Sequence, residues 1–444
     1  MPITQNLVAQ MIFGGIGSQG KLPVEISSCP KYSGINLSNT IRFKYTSPED
    51  AGIESTALSM IDTIALKAIK AGAMPGCEVL VAKDQKVIYY KSFGTHSYED
   101  STSVKNTDLY DLASVTKIAA TCLATMKLYD EKKIDLDKPL ANYFAPLVNT
   151  NKRNLIIRDV LAHQAGLVAW IPFWKKTLTL TGALSDDVYL RKESETFSIR
   201  VAEGIFMKNN YKDSLLQWIY DSPVSERGKY VYSDLGPILV RSMIEKQTLQ
   251  PFETYLDKEF YQSLGLTSLT FLPRNKFDLK KIIPTEDDKE FRHQLIHGDV
   301  HDPAAAMLGG ISGNAGLFSD ANDLAVIMQL YLNKGFYGGK NYFSQSTVNE
   351  FTKQQFAINK NRRGLFFDKP ETDPTKPGPT SKDASPETFG HQGFTGTCAW
   401  ADPKYNLIYI FLSNRVNPDA TNEKLVKMNV RTDIQQVIYD AMGR

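Results

Sequence analysis

Three short segments of the chain combine residue types that could perform nucleophilic catalysis. The first is Ser114-Val-Thr-Lys117, and because small and apolar residues follow it up to Met126, the serine is predicted to open a helix. Side chains three positions apart lie on one helix face. A serine hydroxyl attacks well only when a neighbour takes its proton, and a lysine can do so if its surroundings lower its pKa. The alternative is that Ser114 only caps the helix.

The second segment, Tyr232-Ser-Asp234, follows a strand-like run and precedes a helical pattern from Pro237 to Lys246. Tyr232 would therefore lie at the lip of a turn. A phenol beside an ammonium group ionises more easily and could serve as a base. The alternative is a packing role for the ring.

The third segment, His391-Gln-Gly393, stands before Phe394-Thr-Gly396 and an apolar strand pattern. Glycines let the backbone come close to a substrate. The strand edge could also pair with an extended amide. The alternative is that His391 is an ordinary loop histidine.

In this order, the three segments resemble those of the serine β-lactamase and penicillin-binding-protein superfamily. The resemblance is closest to its class C-type branch, which includes esterases, D-aminopeptidases and D,D-peptidases, and it covers roughly residues 46 to 444. Leu161-Ala-His-Gln-Ala-Gly-Leu167 and Arg362-Arg-Gly-Leu365 are also similar to family segments. The resemblance implies a serine hydrolase that works through an acyl-enzyme and needs neither a cofactor nor a metal.

The resemblance also implies a role for each matching residue. Ser114 would be the acylated nucleophile, Lys117 its proton partner, and Tyr232 the base or relay for the leaving group. The N–H groups of Ser114 and Thr395 would form the oxyanion hole. The positions implied to contact substrate or oxyanion are Asp234, His391, Gly393 and Thr395.

Two positions depart from the family pattern. Asp234 replaces the usual asparagine, and His391 replaces the lysine that grips a substrate carboxylate. These changes favour an ester or amide substrate over efficient β-lactam hydrolysis. Two alternatives stay open, namely a penicillin-binding-like sensor without turnover and a true β-lactamase.

The order of elements predicts the fold. A helix and a hairpin near residues 55–93 are mirrored by a hairpin near 397–412 and a long helix over 424–442. This pattern predicts a mixed α/β fold, with one antiparallel sheet of the five-stranded type built from both ends of the chain and flanked by helices. A mostly helical lobe is expected over roughly 130–310.

Residues 1–45 are expected to be a separate extension. Ala9–Ile16 and Gly20–Val24 resemble the end of the C-terminal domain of family 3 glycoside hydrolases, which include enzymes acting on cell-wall sugars. The expected helix is Gln5–Ile12 and the expected strand Lys21–Ile26. The combination of this segment with a serine hydrolase suggests that the protein is fused to, or derived from, a glycosidase. It also suggests a muropeptide amide as the substrate.

Composition narrows the classes of partner. The net charge of +2 gives no support for a nucleic-acid binder, and no apolar run approaches the roughly 20 residues of a membrane span. The first 20 residues lack the pattern of a signal peptide, although the resemblance suggests the bacterial periplasm or envelope. A monomer or weak oligomer is expected.

The spacing of the cysteines and histidines does not establish a disulfide or a metal site. The four cysteines show no CxxC pattern, which leaves buried thiols or one disulfide. His297 and His301-Asp302 have spacings that could hold a metal, but a structural hydrogen-bonding role is the favoured interpretation.

Overall fold

The computed structural model describes residues 3–36, 40–373 and 375–443. A six-stranded sheet lies at its centre. Its strands are β1 (Lys44–Tyr45), β2 (Gly76–Lys83), β3 (Lys86–Gly94), β4 (Phe389–Gln392), β5 (Cys398–Asp402) and β6 (Leu407–Ser413). Their spatial order is β1-β3-β2-β6-β5-β4, with β1 parallel to β3 and all other neighbours antiparallel. The predicted sheet is confirmed, and the two-residue β1 extends one edge.

Both faces of the sheet are buried. Asp84 and Gln85 have positive φ angles of 51° and 62° and close the tight β2–β3 turn. Along the β2–β6 pair, Leu80 packs into the core on one face, while Val81 packs into the core on the other. This alternation follows from the two-residue period of a strand. Strands β4 and β5 therefore belong to a sheet that is packed on both faces.

Helices cover both faces of the sheet. The helices of eight or more residues in the described ranges are α1 (Ile3–Ile12), α2 (Ser55–Lys70), α3 (Cys122–Asp130), α4 (Tyr211–Asp221), α5 (Leu235–Thr248), α6 (Ala321–Leu332), α7 (Gln345–Thr352) and α8 (Val430–Ala441). Helices α2 and α8 pack together on one face, and α6 packs on the other. The single helix predicted over 424–442 is interrupted, because Asn429 takes a left-handed φ of 54° between a short turn and α8.

The lobe over 130–310 contains helices and short strands. Helices α4 and α5 lie in it together with a small three-stranded sheet. That sheet comprises Tyr189–Leu190, Ile199–Ala202 and Ile205–Met207.

The remaining short strands are Tyr110–Asp111, Thr270–Phe271, Glu286–Asp288, Gln294–Ile296, Leu317–Ser319, Phe336–Tyr337 and Lys340–Asn341. The remaining short α-helical segments are Ile157–Leu161, Phe252–Leu256, Gln262–Leu264, Pro303–Met307 and Lys424–Lys427.

Most residues of the N-terminal segment are exposed on the surface of this fold. Helix α1 buries no residue, and the strand expected over Lys21–Ile26 is reduced to one bridge between Ile26 and Cys29. The Gln10 amide exchanges two hydrogen bonds with the backbone of Tyr45. The division into residues 1–45 and 46–444 stays a prediction.

The structure also bears on the state of the cysteines and on membrane-spanning helices. All four cysteines are free thiols, and Cys77, Cys122 and Cys398 are buried. Within the ranges that the structure describes, no helix is both long and apolar enough to cross a membrane.

Candidate active site

Ser114 lies at the start of a helical segment, in contact with strand β4. It occupies a single 3-10 turn, Ala113–Val115, which leads through a π-helical turn, Lys117–Thr121, into α3. Ala113 has a φ of 46°, which is unusual for a residue with a Cβ. Strain of this kind is often found at functional sites. The serine thus sits at a helix start, as the sequence predicts, although the first turns are not α-helical.

The three residues predicted to be catalytic meet at one atom. Lys117 Nζ donates to Ser114 Oγ at 2.8 Å, and Tyr232 Oη donates to the same oxygen at 2.9 Å. Lys117 also donates to the carbonyl of Asn314 at 3.0 Å. Residues 118 positions apart are therefore brought into direct contact by the packing of α5 against the turn that follows Ser114. A hydroxyl that accepts two polar donors is placed for nucleophilic chemistry.

Asp234 forms an ion pair with Lys117, with 2.7 Å between Oδ1 and Nζ. Burial by itself would lower the pKa of Lys117, but the charges and hydrogen bonds of Asp234 and Tyr232 together outweigh it, and the pKa is raised. Burial raises the pKa of Asp234, against the opposing charge of Lys117. The raised pKa and the ion pair favour the ammonium form of Lys117.

Tyr232 is not the easily ionised phenol that the sequence analysis expects. Burial raises its pKa and outweighs the charges of Lys117 and Arg363. Its ring lies between the His163 ring, at 4.5 Å, and the Arg363 guanidinium, at 5.2 Å. The phenol is held rigidly and remains a proton donor to Ser114.

His391, on β4, is a buried neutral imidazole. Its Nε2 lies 3.1 Å from Arg363 Nη1, and its Nδ1 lies 2.6 Å from the carbonyl oxygen of Gln392. A guanidinium can only donate, so Nε2 accepts and Nδ1 carries the proton. Burial and the charge of Arg363 lower the pKa of His391 to about 3. His391 therefore brings no positive charge to the site.

Arg363 is the positive charge beside His391, and the sequence analysis gives it no role. Its Nε lies 3.4 Å from Asp368 Oδ1, and Arg362 Nε holds the same carboxylate at 2.7 Å. The side chain is buried and also donates to the hydroxyl of Tyr230. The only sequence signal was the family-like segment that contains Arg362 and Arg363.

The turn after β4 lies directly against the Ser114 segment. A Cβ on Gly393 would lie 2.6 Å from the carbonyl oxygen of Leu112, so only glycine fits this approach. Thr395 is buried and donates its hydroxyl to the carbonyl of Asp111 at 2.8 Å. Phe394, which is 53% exposed, borders the cavity, whereas Thr395 is absent from its wall.

An open cavity of about 600 Å³ contains Ser114. Its wall includes Trp170, Tyr232, Asp234, His301, Asp302, Arg363, Asp368, His391, Gly393, Phe394, Arg415, Val426 and Arg431. A second cavity, of about 690 Å³, shares no lining residue with it and is bordered by Lys369, Pro370 and Pro386 among others. The wall of the cavity that contains Ser114 combines aromatic and charged side chains.

His297 and His301, whose spacing could hold a metal, contact protein groups instead. His297 Nε2 lies 2.7 Å from the carbonyl of Ile282, and His301 Nε2 lies 2.9 Å from Glu286 Oε2. Asp302 caps the short helix that begins at Pro303 by accepting from the N–H of Ala305. Among the described residues, no group of three or more His, Cys, Asp or Glu side chains is arranged to hold a metal ion.

Comparisons with known proteins identify the family. The family model described as Beta-lactamase matches residues 61–428. A protein from Escherichia coli O157:H7 named "Putative D-alanyl-D-alanine carboxypeptidase" is 32% identical over 400 residues, which cover 83% of this chain and 85% of that protein.

Solved structures share the fold at low identity. The hydrolase EstCE1, described as having promiscuous acyltransferase activity, matches with a TM-score of 0.64 and 17% identity, over 86% of this chain and 99% of its own. A penicillin-binding-protein homologue from Caulobacter crescentus matches with a TM-score of 0.61 and 16% identity, over 87% and 97% of the two chains.

Proposed function

The chain belongs to the β-lactamase family and is a serine hydrolase, and on this premise we propose that it cleaves an amide or ester through an acyl-enzyme on Ser114. The observation that carries the proposal is the convergence of Lys117 Nζ and Tyr232 Oη on Ser114 Oγ, at 2.8 and 2.9 Å. A chance Ser-x-x-Lys spacing would not bring a tyrosine from 118 residues away to the same oxygen.

The proposed acylation begins when Lys117 loses a proton to water, a step that the charge of Asp234 opposes. The resulting amine accepts the proton of Ser114. The Ser114 oxygen then forms a bond to the substrate carbonyl carbon. Tyr232 gives its proton to the departing amine or alkoxide, and Lys117 returns one to the phenol. In deacylation, water forms a bond to the ester carbon, and its proton passes by way of Tyr232 to Ser114 Oγ. The bond between that oxygen and the ester carbon then breaks, which frees Ser114.

The oxyanion is proposed to bind between two backbone N–H groups. Ser114 supplies the first. For the second, Thr395 was predicted, but we now favour Phe394, because it borders the cavity beside Gly393 while Thr395 faces inward. Gly393 allows this close approach of β4 to the Ser114 turn.

The substrate is proposed to be an amide of a cell-wall muropeptide. The names of the curated relatives refer to carboxypeptidase action on a D-alanyl-D-alanine unit, and the N-terminal segment resembles the tail of a cell-wall glycosidase. Work on such a substrate would place the protein in the bacterial envelope. The missing lysine at position 391 argues against efficient β-lactam turnover.

A fluorophosphonate probe tests the nucleophile. Intact mass spectrometry should show one adduct on the wild-type protein and none on Ser114→Ala, while the exposed control Ser101→Ala should label normally. A panel of phenyl esters, nitrocefin and muropeptides would then separate esterase, lactamase and amidase activity. A folded wild-type protein that forms no adduct would contradict the proposal and favour the alternative of a penicillin-binding-like sensor without turnover.

A further inference from the structure

Trp170 is an exposed tryptophan on the wall of the catalytic cavity, and the proposed reaction gives it no role. It is 60% exposed and borders the cavity that contains Ser114. The other tryptophans are packed. Trp174 and Trp218 stack on phenylalanine rings, with ring centroids 5.9 and 6.2 Å apart, and Trp400 is buried. Among the described residues, no ring or cation stacks on Trp170, and its indole N–H forms no hydrogen bond.

The backbone that carries Trp170 is fixed to the catalytic segment. The carbonyl of Ala169 accepts a hydrogen bond from the N–H of Asp234 at 2.9 Å. The carbonyl of Val168 accepts one from Ser233 Oγ at 2.6 Å. The exposed ring therefore projects from a segment that is held on two sides of Tyr232-Ser-Asp234. A ring held in this way loses little conformational freedom when a molecule binds to it.

Other apolar side chains on the same wall are also exposed. Phe394 is 53% exposed and Val426 is 54% exposed. A single exposed apolar residue is ordinary, but several around one cavity indicate a binding site for a molecule with apolar surface. Phe394 differs from Trp170, because the guanidinium of Arg415 already lies over its ring at 4.7 Å. Trp170 is therefore the larger ring of the wall, and its faces are open.

The chemistry of indole favours a flat ring as its partner. The face of an aromatic ring is electron-rich and attracts the partly positive C–H groups of another molecule. A pyranose presents such groups on its face, and an aromatic ring presents them at its edge. A flexible chain covers less of the indole and loses more rotational freedom when it binds. The indole N–H of Trp170 can also donate to a hydroxyl or carbonyl oxygen of the bound molecule.

We propose that Trp170 is a stacking platform that selects substrates carrying a pyranose or an aromatic ring close to the scissile bond. The proposal deepens the proposed function and rests on it for turnover. A muropeptide carries pyranose rings, so the proposed substrate class contains a ring that Trp170 could bind. The same platform would equally accept an aromatic ring, and the experiment separates the two.

Matched esters test the platform through acid release in a pH-stat. On the leaving-group side, kcat/KM is compared for hexyl acetate, benzyl acetate and methyl 6-O-acetyl-α-D-glucopyranoside. On the acyl side, it is compared for ethyl hexanoate, ethyl phenylacetate and ethyl D-glucopyranuronate. Ring selectivity is the kcat/KM of a ring ester divided by that of the open-chain ester in the same series.

Two substitutions at Trp170 separate a ring from mere apolar bulk. Trp170→Leu keeps an apolar side chain without a ring face and should lower ring selectivity about tenfold in at least one series. Trp170→Phe keeps a ring face and should hold ring selectivity within about threefold of the wild type. The ring ester that loses more in Trp170→Leu identifies a pyranose or an aromatic ring as the preferred partner.

The control is Leu180→Ala, a fully exposed apolar residue outside the cavity wall. It should leave ring selectivity unchanged. If Trp170→Leu slows ring and open-chain esters equally, the residue has a merely structural role and the platform is overturned. Unchanged ring selectivity in Trp170→Leu, or an equal loss in Trp170→Phe, would overturn it as well.

A binding measurement separates this proposal from the proposed function. Calorimetry with the four ring esters on Ser114→Ala requires no turnover. An affinity for one of them that falls about tenfold when Trp170→Leu is added supports the platform, even if the wild-type protein hydrolyses nothing. Turnover of the open-chain esters without any binding of ring esters would support the hydrolase and refute the platform.

Discussion

Replacing Asp234 with asparagine should make Ser114 more reactive at neutral pH. The carboxylate lies 2.7 Å from Lys117 Nζ and raises the pKa of that amine. Asparagine keeps an oxygen that can accept from Lys117 but carries no charge. Burial, which lowers the pKa of Lys117, then acts without opposition. A larger share of Lys117 becomes a free amine able to take the serine proton.

The size of the effect follows from the ion pair. Two unit charges at 2.7 Å attract by about 6 kcal/mol at an effective dielectric constant of about 20. The Asp234 side chain is 29% exposed, so water reduces that value. Even about 1.4 kcal/mol, a small part of it, would raise the free-amine fraction about tenfold. We therefore expect fluorophosphonate labelling at pH 7 to accelerate at least tenfold.

The assay is the second-order labelling rate from pH 5 to pH 10. In the wild-type protein the rate should keep rising with pH, because Lys117 loses its proton only above its usual range. In Asp234→Asn the rise should begin at lower pH. Asp302→Asn is the matched control, since Asp302 also borders the cavity but forms no ion pair with Lys117. An unchanged or slower profile in Asp234→Asn would refute the role assigned to the ion pair.

Three other variants test the remaining geometry. Tyr232→Phe should slow amide and alkyl-ester hydrolysis about a hundredfold or more and nitrophenyl esters much less, because only poor leaving groups need a proton; equal losses would contradict the leaving-group role. His391→Lys places a second cation beside buried Arg363 and should cost about 3 kcal/mol in urea unfolding at pH 7, while His391→Gln should cost much less. A lysine tolerated at no cost would show that the site accepts another charge. Gly393→Ala brings a Cβ to 2.6 Å from the carbonyl of Leu112 and should lower ester turnover at least tenfold; wild-type rates would show that this contact can relax.

The sequence was sufficient to predict the order of elements and the meeting of Ser114, Lys117 and Tyr232. Ser114 and Lys117 are three residues apart at a helix start, so their contact follows from local geometry. The β2–β3 hairpin follows from two β-rich runs around a polar turn. Tyr232 could be added only through the family resemblance, since no local rule links it to Ser114 over 118 residues.

The charge state of the site could not be predicted from the sequence. Tyr232 was expected to ionise easily beside an ammonium, but burial depends on the packing of His163 and Arg363 around the ring and reverses that expectation. The break at Asn429 was not predicted, although asparagine adopts the left-handed conformation more readily than most residues.

The two departures from the family pattern are coupled through charge. A lysine at position 391 would add a cation next to Arg363, whereas the neutral imidazole accepts a hydrogen bond from it. An aspartate at position 234 adds an anion next to Lys117 and keeps that amine protonated. Together they remove one positive charge and add one negative charge around Ser114. A carboxylate bound at the β4 end would then meet a neutral imidazole where the family pattern has a lysine.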